Sequence, residues 1–423
     1  MTPMTKKLWT AIIAIGLAGQ LAWTVENMYF NVFLYNTIST NPDFIAWMVS
    51  LSATAATLTT IFIGSLSDKI RKRKLFISAG YVLWAIAVAI FAFISPERLG
   101  GVAKAAWAVI IMDVIMTFFG STANDACFNA YVTEQVDTKD RTKTEGVIQV
   151  LPLISMLFVF GALDGITQKG NWPLFFLIIS AIMLVTGICS FFLIDKEKPR
   201  VKESESSYKE NLIFGFRPST VKNNPTLYIL LIAFAINSIG MQVFYPYLII
   251  YVQQYLGFDN YAVILGILLI AASIISVIGG RIIDKIGKLR CAIPSIVLMS
   301  FGLVLLYFAR SFVAVVLTGI VMMGGYLLTT STLSALVRDN TPKGNEGGIQ
   351  GVRMIALVLI PMVVGPNIGS MVIKGSSETY VDLGVVKTLP TPDLFIVAAI
   401  IALISTLPII YLAIKEKSAE ASR

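Results

Sequence analysis

Apolar residues along this chain run in blocks separated by short polar connections, and a helix crossing a bilayer needs about 20 apolar residues in succession. Twelve blocks meet that length: residues 8–36, 44–66, 75–95, 104–132, 146–168, 172–194, 226–255, 260–282, 291–309, 312–337, 349–374 and 392–414. The one long polar stretch, 195–225, is charged, Ser-rich and nearly central, with an amphipathic turn expected around Leu212–Phe216. The pattern therefore predicts an all-α membrane protein with twelve transmembrane helices in two six-helix bundles, 1–194 and 226–414. A cytoplasmic linker, 195–225, joins them, and 415–423 forms a cytoplasmic tail. The start, MTPMTKKLWTAIIAIG, is basic like a signal peptide, but its apolar run continues without a small-residue cleavage site and reads as the first span.

Composition narrows the class. Of the 423 residues 56% are hydrophobic and only 14% charged, against about 25% charged in soluble chains, and mean hydropathy is +0.78. These values exclude a water-soluble enzyme, a nucleic-acid-binding protein and a disordered scaffold. Histidine is absent, which removes His-based catalysis and His-ligated metal sites. Cys127, Cys189 and Cys291 match no thiol redox or zinc spacing and read as buried small hydrophobes. The net charge of +8 follows from topology. With both termini cytoplasmic, 27 of the 33 Lys and Arg fall on the inside and six outside, as the positive-inside rule requires.

The halves repeat. Gly64-x-x-x-Asp68-Lys69 follows span 2, and Gly280-x-x-x-Asp284-Lys285-Ile286-Gly287-Lys288 follows span 8. Glu145-Gly146-Val147-Ile148-Gln149 follows span 4, and Glu346-Gly347-Gly348-Ile349-Gln350 follows span 10. Internal duplication of this kind marks secondary transporters whose bundles rock around a midplane site.

These loops resemble the signature Gly-x-x-x-Asp-Arg/Lys-x-Gly-Arg/Lys of the major facilitator superfamily. The second copy fits fully; the first has Arg71 in place of the second glycine. The resemblance implies two pseudo-symmetric six-helix bundles, with Gly64, Asp68, Gly280 and Asp284 as conformational latches. Gly64 is expected to let two helices approach closely. Gly19–Trp23 (GQLAW), Asn124–Ala130 (NDACFNA) and the Pro342–Arg353 segment resemble the glycoside–pentoside–hexuronide:cation symporters and the sucrose-type carriers. That group implies a sugar or glycoside substrate and includes lipid carriers. Span 2 lacks the acidic residues of the sodium-coupled melibiose carriers, so the resemblance does not extend to their sodium site.

A charge at mid-bilayer costs at least about 2.5–3.5 kcal/mol on insertion scales, so each polar residue inside a span requires a reason. In span 1, Gln20, Thr24, Asn27 and Asn31 fall on one stripe at 100° per residue, flanked by Trp23 and Glu26. This is either a substrate-facing stripe, with Trp23 and Tyr29 as flat surfaces for a sugar ring, or a helix-packing stripe of amide hydrogen bonds. In span 4, Asp113, Thr117, Ser121 and Asn124 share a face, with Asp125 adjacent. Desolvation favours the protonated form of a carboxyl group, so Glu26, Asp113 and Asp125 form a candidate ion-coupling set. The alternatives are a solvated vestibule for Asp113 and structural pairing of Asp125 with Arg141 or Arg353. Asn237, Gln242 and Tyr245 of span 7 are further substrate-binding candidates; Pro246 is expected to break that helix, with Tyr245 and Tyr247 as gate or rim residues or as part of an ordinary interfacial aromatic belt. Arg353 either pairs with an anion or snorkels to the cytoplasmic surface. Gly324-Gly325 and Gly365-Pro366 are expected to pack and flex.

The expected function is secondary active transport of a small solute, most consistent with a sugar or glycoside, by proton-coupled symport through alternating access in the cell membrane. No cofactor beyond the coupling proton, no metal and no nucleic-acid partner is expected, and the chain is expected to act as a monomer. The alternative is a drug or lipid-like amphiphile transporter. A membrane enzyme lacks the His, Cys or acidic clusters it would need, and a receptor lacks a soluble extension.

Overall fold

The long apolar blocks fold as helices whose outer faces keep Phe62, Phe192, Phe308, Leu317 and Met371 exposed, as a surface in contact with hydrocarbon requires. The computed structural model describes residues 5–70, 72–136, 141–194, 214–342, 346–376, 379–382 and 385–421. Twelve helices among these are long and apolar enough to cross a membrane. They are α1 (Lys6–Ile38), α2 (Pro42–Gly64), α3 (Arg73–Phe91), α4 (Val102–Gln135), α5 (Val150–Gln168) and α6 (Trp172–Leu193), then α7 (Pro225–Tyr255), α8 (Tyr261–Gly280), α9 (Lys288–Phe308), α10 (Phe312–Asp339), α11 (Gly351–Gly375) and α12 (Asp393–Glu416). One antiparallel hairpin, β1 (Thr379–Asp382) with β2 (Val385–Thr388), lies between α11 and α12 and pairs Thr379 with Thr388. The pattern of apolar blocks did not anticipate it.

The chain forms two compact units, Met1–Glu205 and Ser206–Arg423. Each repeats the same packing scheme. In the first unit α1 packs on α5, α2 on α4 and α3 on α6; in the second α7 packs on α11, α8 on α10 and α9 on α12. The repeat reaches individual side chains that sequence reading did not single out as partners. Arg73, opening α3, forms an ion pair with Glu134 at the end of α4, and Lys288, opening α9, pairs at 2.6 Å with Asp339 at the end of α10.

Both units use glycine contacts, Gly187 against the Val82 backbone among them in the first, and each adds a feature of its own. In the first, Phe30, Phe33, Phe91, Trp172, Phe175 and Phe176 stack at centroid distances of 4.3–6.1 Å. Ser78 of α3 and Ser190 of α6 share a hydrogen bond of 2.8 Å, the kind of polar link that joins helices in lipid. In the second, glycines bring backbones closer still: a Cβ on Gly302 or Gly325 would overlap the backbone of Met322 or Met299. Gly324 and Gly365 likewise sit against Ile275 and Gln242, so these glycines have packing roles.

Several expectations change here. Gly64 is expected to let two helices approach closely; within the described residues a Cβ on Gly64 or Gly280 would meet no heavy atom within 4 Å. The side chains of Asp68, Asp284, Arg141, Glu145 and Glu346 lie outside the described residues, as do residues 195–213, including Leu212 of the amphipathic turn. Cys127 and Cys291 are buried, but Cys189 is exposed on α6, because its position on that helix faces away from α3.

Candidate functional site

Pro246 lacks the N–H that would continue the α-helical ladder, and α7 tightens to a 3₁₀ turn over Tyr245–Tyr247, as expected for an interior proline. The other irregularities carry no proline signal, except the one in α11 that ends just before Pro361. π-Helical turns occupy Val25–Tyr29 and Leu34–Ile38 in α1, Ser121–Phe128 in α4, Val159–Leu163 in α5, Tyr251–Tyr255 in α7 and Ile355–Leu359 in α11. Such turns insert a residue into the helix and recur at functional sites. Two of them hold Glu26 and Asp125.

The candidate site of the first unit is built around these turns. Glu26 is buried, and its Oε1 accepts a 2.9 Å hydrogen bond from Thr117 Oγ1 of α4. Asp113, 1% exposed, and Asp125 are the charged groups that face Glu26, and Ser52 of α2 faces Asp113. Ser121 Oγ donates to Asp125 Oδ2 at 3.0 Å, while the Trp23 indole and the Asn124 amide lie beside the same carboxylate. Glu26 Oε2 and Asp113 Oδ1 are buried without a hydrogen-bond partner. Among the described residues no Lys or Arg pairs with any of the three.

Two of the three segments that carry the family resemblance, Gly19–Trp23 and Asn124–Ala130, meet at this site. Gly19 is the residue at which α1 approaches α4: a Cβ there would come within 2.7 Å of both Asn124 Oδ1 and Tyr81 Oη. Tyr81 donates to Ile15 O at 2.8 Å and to Asn124 Oδ1 at 3.3 Å. Trp23 is half-buried and stacks on Trp84 with centroids 4.9 Å apart, beside Gly120.

The amide stripe of α1 is arranged differently from its helical-wheel projection. Asn27 Nδ2 donates to Trp23 O and Asn31 Nδ2 to Asn27 O, at 2.8 and 2.9 Å, and Thr24 Oγ1 donates to Gln20 O at 2.8 Å. These donors are occupied by their own helix, leaving Asn31 Oδ1 unpartnered and Gln20 and Trp23 as half-buried groups of the stripe. Tyr29 is fully buried against Phe160 and Phe175, with its hydroxyl donating to Asp164 Oδ1 at 2.9 Å. It is therefore unavailable as a stacking surface.

Asp164 is a further buried carboxylate of this unit, held at Oδ2 by Gln168 Nε2 at 2.6 Å. The sequence reading did not single it out, although the rule applied to Glu26 would have found it. Asp164 thus joins Glu26, Asp113 and Asp125 as an acid inside a span of the first unit.

In the second unit Asn237 is 0% exposed, and neither side-chain amide atom has a hydrogen-bond partner. Gln242 packs its Cβ against Gly365. Tyr245 is half-buried and faces Tyr326 of α10. Tyr247 is buried, bonded to Pro366 O at 2.9 Å and seated over Gly369, so it belongs to the α7–α11 contact and not to a rim. Arg353 is half-buried with its Nε unpartnered. The described residues contain no group of three or more Cys, Asp or Glu placed to hold a metal ion.

The family model described as Major Facilitator Superfamily matches residues 9–366 and 261–423. No curated protein matches the chain by sequence. Among solved structures, a mutant of the nucleoside transporter NupG is similar with a TM-score of 0.76 at 14% identity, covering 96% of this chain and 99% of that one. The xylose transporter XylE from E. coli, in a partially occluded inward-open conformation, gives 0.68 at 13% identity, covering 95% and 97%. A bacterial homologue of the human lysosomal transporter Spinster gives 0.64 at 12% identity, covering 97% and 96%. These likenesses concern the fold. The family match, which spans most of the chain, identifies it as a multi-pass membrane protein of the Major Facilitator Superfamily, a transporter and not an enzyme.

Proposed function

We propose that this transporter moves a sugar or glycoside by proton-coupled symport through alternating access, working as a monomer in the cytoplasmic membrane with no cofactor beyond the proton. The observation that carries this reading is the Glu26–Asp113–Asp125 group, three carboxyl groups on α1 and α4 that no Lys or Arg among the described residues pairs with. An uncompensated carboxylate in such surroundings is costly; a proton that binds in one conformer and leaves in the other gives the cluster a purpose. The half-buried Trp23, beside Asp125, and the half-buried Gln20 offer a flat face and an amide suited to a hydroxylated ring. Asn237, Gln242 and Tyr245 are the corresponding candidates of the second unit. The GQLAW and NDACFNA segments meeting in the first unit favour the glycoside–pentoside–hexuronide type within the superfamily. Two of the similar folds transport xylose and nucleosides, a pentose and N-glycosides, which places both chemistries in the test panel.

The second reading is transport of a cationic amphiphile, which the same unpaired carboxylates would attract. Reconstituted protein in vesicles decides between them, given labelled pentoses, hexoses, O-glycosides and nucleosides under an imposed pH gradient or sodium gradient. The expected result is accumulation of one of these classes under the pH gradient and its collapse with a protonophore. Movement of a cationic dye or lipid alone establishes the second reading. Uptake indifferent to the pH gradient removes the proton.

A further inference from the structure

Asp164 lies apart from the cluster, yet it is bonded to the same turn of α1. The π-helical turn Val25–Tyr29 replaces the usual ladder with a wider bond, Phe30 N–H to Val25 O, and two side chains leave it in opposite chemical roles. Glu26 accepts from Thr117 of α4, and Tyr29 donates to Asp164 of α5. Asp164 itself follows directly on the π-helical turn Val159–Leu163. Two widened turns on neighbouring helices are thus joined by one buried phenol–carboxylate bond. The Tyr29 ring is fixed by Phe160 and Phe175, with centroids at 6.3 and 5.2 Å, and the far oxygen of Asp164 is fixed by Gln168.

We propose that Asp164 is a positioning residue for Glu26, acting through the Tyr29 hydroxyl and the π-helical turn that Glu26 and Tyr29 share. The proposal rests on Glu26 being a proton-coupling group. A hydrogen bond to a carboxylate is roughly twice as strong as a neutral one, which suits Asp164 to hold a turn that lacks the regular α-helical ladder. Holding that turn fixes how far Glu26 stands from Thr117 and from Asp113 and Asp125, the titratable groups that face it. Tyr29 is the titratable group facing Asp164 from α1. Releasing the turn therefore changes the proton equilibrium of Glu26 without touching Glu26 itself.

The test is pH-difference infrared spectroscopy of the reconstituted full chain, with the Glu26 carboxyl band assigned by its loss in Glu26→Gln. Asp164→Asn and Tyr29→Phe are expected to displace the midpoint of that band in the same direction by about one pH unit, a tenfold change in proton concentration. Ser78→Ala, which breaks the α3–α6 hydrogen bond, should lower thermal stability and leave the midpoint in place. Tyr29→Phe removes one oxygen and keeps the ring, so it decides the matter where Asp164→Asn fails to fold. An unmoved midpoint in Tyr29→Phe, or a Glu26 that does not titrate, overturns the proposal. A midpoint that moves in a protein whose uptake ignores the pH gradient leaves Asp164 as the positioning residue and removes the coupling reading. Gradient-driven uptake with an unmoved midpoint does the reverse.

Discussion

The two six-helix units share a packing scheme and differ in what they bury. Between the ends of α1, α4 and α5 the first unit holds Glu26, Asp113, Asp125 and Asp164. The spans of the second unit carry no carboxylate away from their ends, and their unpartnered buried atoms include the neutral groups of Asn237, Ser300 and Thr329. The same helix pairings form in both units, so the fold does not require the acids. Each mid-bilayer charge works against insertion by at least about 2.5–3.5 kcal/mol, and a group that the scaffold does not need at that cost is the place to look for function.

Five substitutions break or sharpen this contrast, in descending order of expected effect. Arg73→Ala removes one partner of the repeated ion pair where the side chains are 6% and 27% exposed. It should destabilise the protein by about 3 kcal/mol, read as thermal unfolding in detergent. Gly325→Val forces a branched side chain onto the Met299 backbone and should cost about 2 kcal/mol by the same measurement, confirming that the second unit depends on backbone contact. Glu26→Gln should abolish gradient-driven accumulation. One symported proton supports about tenfold accumulation, or 1.4 kcal/mol, per pH unit, while exchange without a gradient persists; accumulation that survives places coupling elsewhere. Tyr81→Phe deletes the hydroxyl bonded to Ile15 and Asn124 and should cost about 1 kcal/mol, with a matched loss of stability. Lys288→Ala breaks the second copy of the ion pair, 32% and 51% exposed, and should cost less than about 1 kcal/mol. Equal effects of Arg73→Ala and Lys288→Ala would make the two pairs equivalent and weaken the contrast.

What was legible in the sequence follows from which signals are local. Hydrocarbon thickness fixes the length of an apolar block, so all twelve spans were readable, and the missing N–H of Pro246 announced the break in α7. The carboxylates Glu26, Asp113 and Asp125 stood out because charge inside spans is scarce, and Asp113 and Asp125 do both face Glu26. The orientation of the amides in α1 was not legible. A projection at 100° per residue assumes an unbroken ladder, and the π-helical turns at Val25–Tyr29 and Leu34–Ile38 have no residue signature that would have revised it. Pairing was equally hidden: Arg73 looked like one member of a basic loop, and only the return of α4 to the same end supplies Glu134. Asp164 was legible and overlooked.

The bond between Glu26 and Thr117 also sets an order of events during synthesis. Its two partners are 91 residues apart in the chain, a gap of roughly 5–20 s at ordinary rates of translation. For that interval α1 resides in the membrane with its carboxyl group lacking the hydroxyl that will receive it. Tyr29 waits longer still, since Asp164 is made 135 residues later. α1 is thus fixed in place only after α4 and α5 have been made, and assembly of its unit waits for α6, on which α3 packs.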